Sequence, residues 1–282
     1  MTEPAFTRTA VVYDFDGTLA PGNMQEHSFI RAHGTSVEAF WNDVKAVARA
    51  GDADEILVYM RSMLEHARKQ GTPITAALLA RHGAIPLFEG LDRWFDRINA
   101  EGHRQGLVVE HYVISSGLLE MIRGCKIADR FTQIFASHFL YDERGEAVWP
   151  GAAINYTTKT QFLFRINKGI ANTWDNDRIN RWVPMEERPL PFSRMIFIGD
   201  GATDIPSMKT VRSQGGHSIA VFDPRKWDSA PARELVYRLI AEDRAHFVAP
   251  ADYTEGSQLD VTVRGILGRI ARDAGFRETH SG

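Results

Sequence analysis

The sequence predicts an α/β fold: a parallel sheet with an all-helical segment inserted directly behind its first strand. Three observations lead there. Short apolar β-forming runs, such as His111-Tyr112-Val113-Ile114 and Met195-Ile196-Phe197-Ile198, alternate with amphipathic helical patterns. Between about Met24 and Arg81, however, only helical periodicity is present. Finally, three of the strand-like runs end in small or charged polar residues, which in a parallel sheet collect at the carboxyl edge.

Taken in order, Thr7 to Asp14 reads as the first strand, with Val11 and Val12 buried, and Ala20-Pro21-Gly22-Asn23 as a turn. Val37, Phe40, Trp41, Val44, Val47 and Ala48 share one helical stripe, and Thr35 with Glu38 has capping-box spacing at its start. Ile56, Leu57, Met60, Met63, Leu64 and Ala67 form a second stripe, with Glu65 and Lys69 at i,i+4 outside it. A third short helix is expected near Thr75–His82.

Alternation resumes at Pro86. Leu87, Phe88, Leu91, Trp94, Phe95 and Ile98 predict a helix, and His111–Ile114 a buried strand running into Ser115-Ser116-Gly117. Leu118 to Asp129 reads as helix and Gln133–Ala136 as strand. Phe139–Tyr141 and Ala147–Trp149 flank Asp142-Glu143-Arg144-Gly145, a hairpin turn. Thr158-Lys159-Thr160-Gln161 resembles a second capping box, opening a helix that stops at Gly169. Asn172 to Phe192 reads as an irregular excursion. Met195–Ile198 then forms a strand ending in Gly199-Asp200, Ser218–Phe222 and His246–Val248 two more, and Val261 to Ala274 a last helix.

Composition narrows the function class. With 33 Lys+Arg against 36 Asp+Glu, the net charge of −3 gives no global field for nucleic acid or an anionic membrane. One cysteine, Cys125, excludes a disulfide framework and a multi-thiolate zinc site; it reads as a small buried hydrophobe in a helix. The ten histidines, His27, His111 and His138 among them, lack paired metal spacing. Neither a signal peptide nor a membrane-length apolar run is evident, so a cytoplasmic protein is expected.

The chemistry is concentrated at the strand ends. Asp14 and Asp16 alternate along one strand, about 6–7 Å apart on the same face. Two such charges are costly unless a cation or a shared proton offsets them, which points to a metal-dependent site. Asp14-x-Asp16-Gly17-Thr18, hydrophobic-Ser115, Lys159 and Gly199-Asp200-x-x-x-Asp204, met in this order, resemble the haloacid dehalogenase (HAD) superfamily of phosphatases and phosphotransferases. The resemblance implies a Rossmann-like sheet core (residues 1–19 and 87–282) and an α-helical cap (20–86) like that of the phosphoserine phosphatase group. It assigns Asp14 as the nucleophile that carries an aspartyl-phosphate, and Asp16 as general acid/base. Mg²⁺ would be held by Asp14, Asp200 and the carbonyl of Asp16, with Asp204 supporting. Ser115, Ser116 and Lys159 would bind the phosphate of a small phosphorylated metabolite.

Plainer readings stand beside these. Ser115 and Ser116 can cap the next helix, and Asp204 can be a first-turn acid. Lys168 rivals Lys159, but its last-turn position suits a lysine that stabilises carbonyls. Lys159 stands 41 residues before Asp200, a wide gap created by the excursion. Asn23 occupies the position where phosphoserine phosphatases carry a substrate-reading glutamate, which weighs against phosphoserine as substrate. The second aspartate disfavours dehalogenase chemistry. Phosphotransfer is a variant of the hydrolase reading, and a phosphate-binding protein without turnover is the alternative class. The presence of Asp16 favours turnover.

Overall fold

The computed structural model describes residues 6–201 and 203–279, with side chains as far as Gly275. In chain order the elements are β1 (Thr7–Tyr13), α1 (Met24–His27), α2 (Phe29–Ala32), α3 (Val37–Gly51), α4 (Glu55–Lys69), α5 (Ala76–Arg81), α6 (Leu91–Arg104), β2 (Leu107–Leu118), α7 (Leu119–Arg123), β3 (Gln133–Tyr141) and β4 (Ala147–Ala152). They continue with α8 (Lys159–Lys168), α9 (Asn176–Asn180), β5 (Met195–Gly199), α10 (Ile205–Ser213), β6 (His217–Phe222), α11 (Ala230–Ala241), β7 (Phe247–Pro250) and α12 (Gln258–Thr279).

The seven strands form one sheet in the order β4-β3-β2-β1-β5-β6-β7, parallel except for the β3–β4 hairpin. β1 lies at the centre, between β2 and β5, and is buried on both faces. Val11 and Tyr13 face one apolar cluster with Trp94, Phe95 and Ile98 of α6 and Leu267 of α12. Ala10 and Val12 face another with Phe162, Leu163 and Ile166 of α8 and Met208 of α10. Helices on both faces of a parallel sheet give the predicted Rossmann-like architecture. The five helices α1–α5 all lie between β1 and α6, and their core runs on from the sheet through Phe15, Leu19 and Met24.

Several local expectations give way to competing interactions. The α3 cap is Ser36, not Thr35: its hydroxyl accepts from the Ala39 amide at 3.1 Å, one residue later than the Thr35/Glu38 spacing suggests. Thr158 precedes α8, but its hydroxyl is taken by the Asn155 amide at 2.8 Å, so no capping box forms there. Asn155 Oδ1 instead accepts from the amides of Thr157 and Thr158. Glu65 pairs back with Arg61 at 2.7 Å rather than forward with Lys69. Val47 and Leu57 fall outside the buried stripes and are exposed.

Leu87 and Phe88 are not helical. The chain there is extended and tied by Phe88 N–H to the Leu19 carbonyl (3.0 Å) and Tyr253 N–H to the Glu89 carbonyl (2.9 Å), so α6 starts only at Leu91. The helix expected over Leu118–Asp129 shrinks to α7 because β2 runs on to Leu118 and the chain must pass α5. A Cβ on Gly124 would lie 1.9 Å from the Ala80 carbonyl oxygen, so only glycine permits that approach. Cys125 is buried just beyond this helix rather than within it. The 172–192 stretch contains α9 and a 3₁₀ turn at Met185–Glu187. Among the described residues no helix is long and apolar enough to cross a membrane.

Candidate active site

Parallel strands that begin in register also end together, and here the end is polar. β1 pairs with β2 through Tyr13↔Val113 and with β5 through Tyr13↔Ile198. The residues that follow, Asp14 and Asp16, Ser115 to Gly117, and Gly199-Asp200, therefore meet at one edge. Asp14 is fixed by its amide, which donates to the Ile198 carbonyl at 2.9 Å. After it, Thr18, Leu19 and Ala20 all direct their amides at the Phe15 carbonyl, closing a tight turn. Gly17 has φ +77°, and a Cβ there would sit 2.1 Å from Asp200 Oδ2. Glycine is what allows the turn and the carboxylate of β5 to touch.

Lys159, the first residue of α8, reaches into this edge. Its ammonium lies 2.8 Å from Asp14 Oδ1 and 2.7 Å from Asp204 Oδ1, with all three side chains buried. Asp204 precedes α10, and its second oxygen accepts from the Asp200 amide at 3.1 Å. Both of its oxygens are thus occupied. Lys168 is elsewhere: its ammonium bonds the carbonyls of Ile179 (2.6 Å) and Arg181 (2.8 Å).

Asp16 points towards the inserted helices, with Oδ1 accepting from the Met24 amide at 3.0 Å. Ser115 Oγ accepts from the Gly117 amide at 3.0 Å, while Ser116 Oγ is buried and has no partner. Tyr59 of α4 donates to the Ser116 carbonyl at 2.7 Å, tying the insertion to the β2 end. Together these groups border a cavity of about 390 Å³, whose far wall carries Glu26, Trp41, Lys45, Glu55 and Tyr156. The Glu26 carboxylate accepts from Asn23 Nδ2 (2.6 Å) and Trp41 Nε1 (2.8 Å). Sequence reasoning places Trp41 on a packing stripe and missed Lys45, Glu55 and Tyr156. An exposed lysine and a tyrosine before a helix carry no spacing signal of their own.

The carboxylates outnumber the one ammonium among them. Burial, then the charge of Asp204, pushes the Asp14 carboxyl up to about 7, against the pull of Lys159. Burial and then Asp14 raise Asp16 well above the usual carboxylate range; burial, then Asp204 and Asp14, do the same for Asp200. The same partners hold Lys159 protonated despite its burial. Oxygens of Asp14, Asp200 and Asp204 all lie within 4.8 Å of one another, a spacing that suits a cation. Because Asp204 is committed to Lys159 and to the Asp200 amide, it fits a supporting place better than direct ligation.

Known proteins share the fold that carries these groups. A protein of Borreliella burgdorferi described as uncharacterized is 27% identical over 275 residues, 89% of this chain and 93% of its own. A HAD-family hydrolase of Salmonella enterica serovar Typhi shares the fold with a TM-score of 0.57 at 17% identity, over 93% of this chain and 72% of that one. A phosphoserine phosphatase, solved as an analogue of its phospho-aspartyl intermediate, does so with a TM-score of 0.51 at 19% identity, over 86% and 93%. Residues 11–209 match the family model of haloacid dehalogenase-like hydrolases, a span that includes every polar strand end described above, and the chain belongs to that family.

Proposed function

We propose that the protein is a Mg²⁺-dependent phosphomonoester hydrolase of the cytoplasm, acting on a small phosphorylated metabolite through an aspartyl-phosphate on Asp14. One observation carries the reading: Lys159 bridges Asp14 and Asp204 at the point where the β1, β2 and β5 ends converge. A carboxylate held open at a strand end beside a fixed ammonium is a nucleophile that a phosphate dianion can approach.

Asp14 Oδ bonds to phosphorus as the ester P–O bond breaks, and the departing oxygen takes the proton of Asp16. Burial and the neighbouring Asp14 charge favour the protonated form of Asp16 that this step needs. Water then gives its proton to Asp16 and attacks the same phosphorus. The Asp14–phosphorus bond breaks, phosphate leaves, and both carboxyl groups return to their starting states. Ser115, Ser116 and Lys159 hold the phosphoryl oxygens; the unpartnered Ser116 hydroxyl and the Lys159 charge suit that task. The surplus of carboxylates fits Mg²⁺, held by Asp14, Asp200 and the Asp16 carbonyl with Asp204 in support; when bound it offsets charge between nucleophile and phosphate.

Residues 20–86 act as a cap over a core of 1–19 and 87–282, admitting substrate against Trp41, Lys45 and Tyr59. Asn23 is bonded to Glu26 and does not offer the carboxylate that would read a phosphoserine amine.

The test is phosphate release. With Mg²⁺ the purified protein should hydrolyse p-nitrophenyl phosphate and at least one phosphorylated metabolite, and EDTA should stop it. No release from any phosphomonoester of a broad panel, with EDTA changing nothing, would contradict the reading.

A further inference from the structure

The 172–192 stretch, which the proposed reaction does not use, is built rather than loose. Three polar side chains in the last turn of α8 hold it. Arg165 donates to the carbonyls of Asn172 (2.7 Å) and Thr173 (2.8 Å), Asn167 to that of Leu190 (2.9 Å), and Lys168 to those of Ile179 and Arg181. Arg165 and Asn167 are buried to 2% and 1% exposure. Burying a guanidinium and an amide for this purpose is costly unless the segment has to hold a fixed shape.

That shape is one wall of a cavity of about 510 Å³ at the opposite end of the sheet from Asp14, where β5 and β6 begin. Met185, Glu186 and Arg188 of the excursion face Arg269 and Asp273 of α12, and Phe192, Arg194 and His217 close the base. The Arg188 guanidinium is aimed by neutral groups, Nε to the Val183 carbonyl (3.1 Å) and one terminal nitrogen to Asn167 Oδ1 (3.2 Å). Among the described residues no carboxylate pairs with it. Arg269 reaches Asp273 only at 3.9 Å, and Asp273 is already bonded by Arg272 at 3.1 Å. Glu186 is exposed and is the remaining acid of the lining. Asp273 is thus shared between two arginines, and Arg188 is held by geometry rather than by a carboxylate among the described residues. The buried His217 imidazole is consistent with this: burial, then Arg269 and His246, bring its pKa down to about 4.

We propose that this cavity is a second ligand site, separate from the catalytic edge, that binds a small polyanion bearing phosphate or carboxylate groups between Arg188 and Arg269. Positioned guanidiniums suit planar bidentate recognition of such groups. Phe192 and Ile270 add apolar surface to the lining, which suits a compact carbon skeleton beside the charges.

Pyrophosphate and citrate, titrated calorimetrically in buffer freed of divalent metal beforehand and containing no chelator, test the proposal on the full chain. Wild-type protein should bind at least one of them, with affinity falling as NaCl is added. Lys159→Ala, which alters the catalytic edge, should retain that binding, and Arg188→Ala with Arg269→Ala should weaken it by about tenfold or more. Arg269→Glu alone, at a largely exposed position, tests the same point should loss of Arg188 disturb the segment. Binding abolished by Lys159→Ala, binding unchanged in the arginine variants, or no binding of either anion by the wild type would overturn it.

Discussion

Two carboxylates share one ammonium at Lys159, and that arrangement sets it apart from the other lysine of α8. Lys159 touches Asp14 and Asp204, whereas Lys168 closes the 172–192 stretch through two carbonyls. Lys159→Ala should lower kcat by about 10²-fold or more, the usual cost of removing a group that meets developing charge. Lys168→Ala should leave kcat within about threefold and lower thermal stability instead. Steady-state kinetics on both variants checks this, and the reverse ranking would remove Lys159 from the mechanism. The aspartates were readable because their spacing is chemical: alternate positions at a strand end, a glycine that permits the turn, and an acid at the end of the strand that pairs beside it. Lys159 was readable from its place at a helix start, although for an inexact reason. The Thr158 hydroxyl bonds Asn155 rather than capping the helix, and the lysine is placed by the preceding Asn155 turn.

Strand centres were the most legible parts, since β1, β2 and β5 each contain a run of five residues buried on both faces. Boundaries were less so, and the cause is adjacency. With Thr35 and Ser36 side by side, hydroxyl geometry rather than the distant Glu38 selects the cap. Ser36→Ala should therefore cost about 1 kcal/mol of stability, and Thr35→Ala, whose hydroxyl makes only a 3.5 Å contact, should stay within about 0.5 kcal/mol. Equal losses in denaturant titrations would refute the assignment. The lead-in to α6 and the shortened α7 were illegible for another reason. Both depend on tertiary partners, Leu19 and Tyr253 for the first and the Ala80 carbonyl for the second, that no local pattern encodes.

At the scale of the molecule, one buried chain of hydrogen bonds couples β1, β2 and α6 behind the candidate site. Trp94 donates to Tyr13 Oη at 2.8 Å, Tyr13 Oη meets His111 Nδ1 at 3.0 Å, and His111 Nε2 meets Asn99 Oδ1 at 3.0 Å. The chain closes with a neutral imidazole, and burial holds the His111 pKa down at about 3, against 6.5 for the free side chain. The unfolded chain binds this proton from about pH 6.5 downward while the folded one does not. Its contribution is thus complete above pH 6.5 and is lost as pH falls towards 3, at up to about 1.4 kcal/mol per pH unit. Denaturant unfolding between pH 7 and 5 should show this slope in wild-type protein and a shallower one in His111→Gln. Equal slopes would mean that His111 does not carry the effect.

The same scale holds the central proposal, that strand ends brought together from distant parts of the chain make Asp14 a phosphoryl acceptor. Its most direct test is acid-quenched peptide mapping during turnover of p-nitrophenyl phosphate with Mg²⁺. One phosphoryl group should appear on the peptide containing Asp14, and Asp14→Asn should show neither the modified peptide nor phosphate release. Turnover at the wild-type rate by Asp14→Asn, or a phosphoryl group trapped on another residue, would contradict the account.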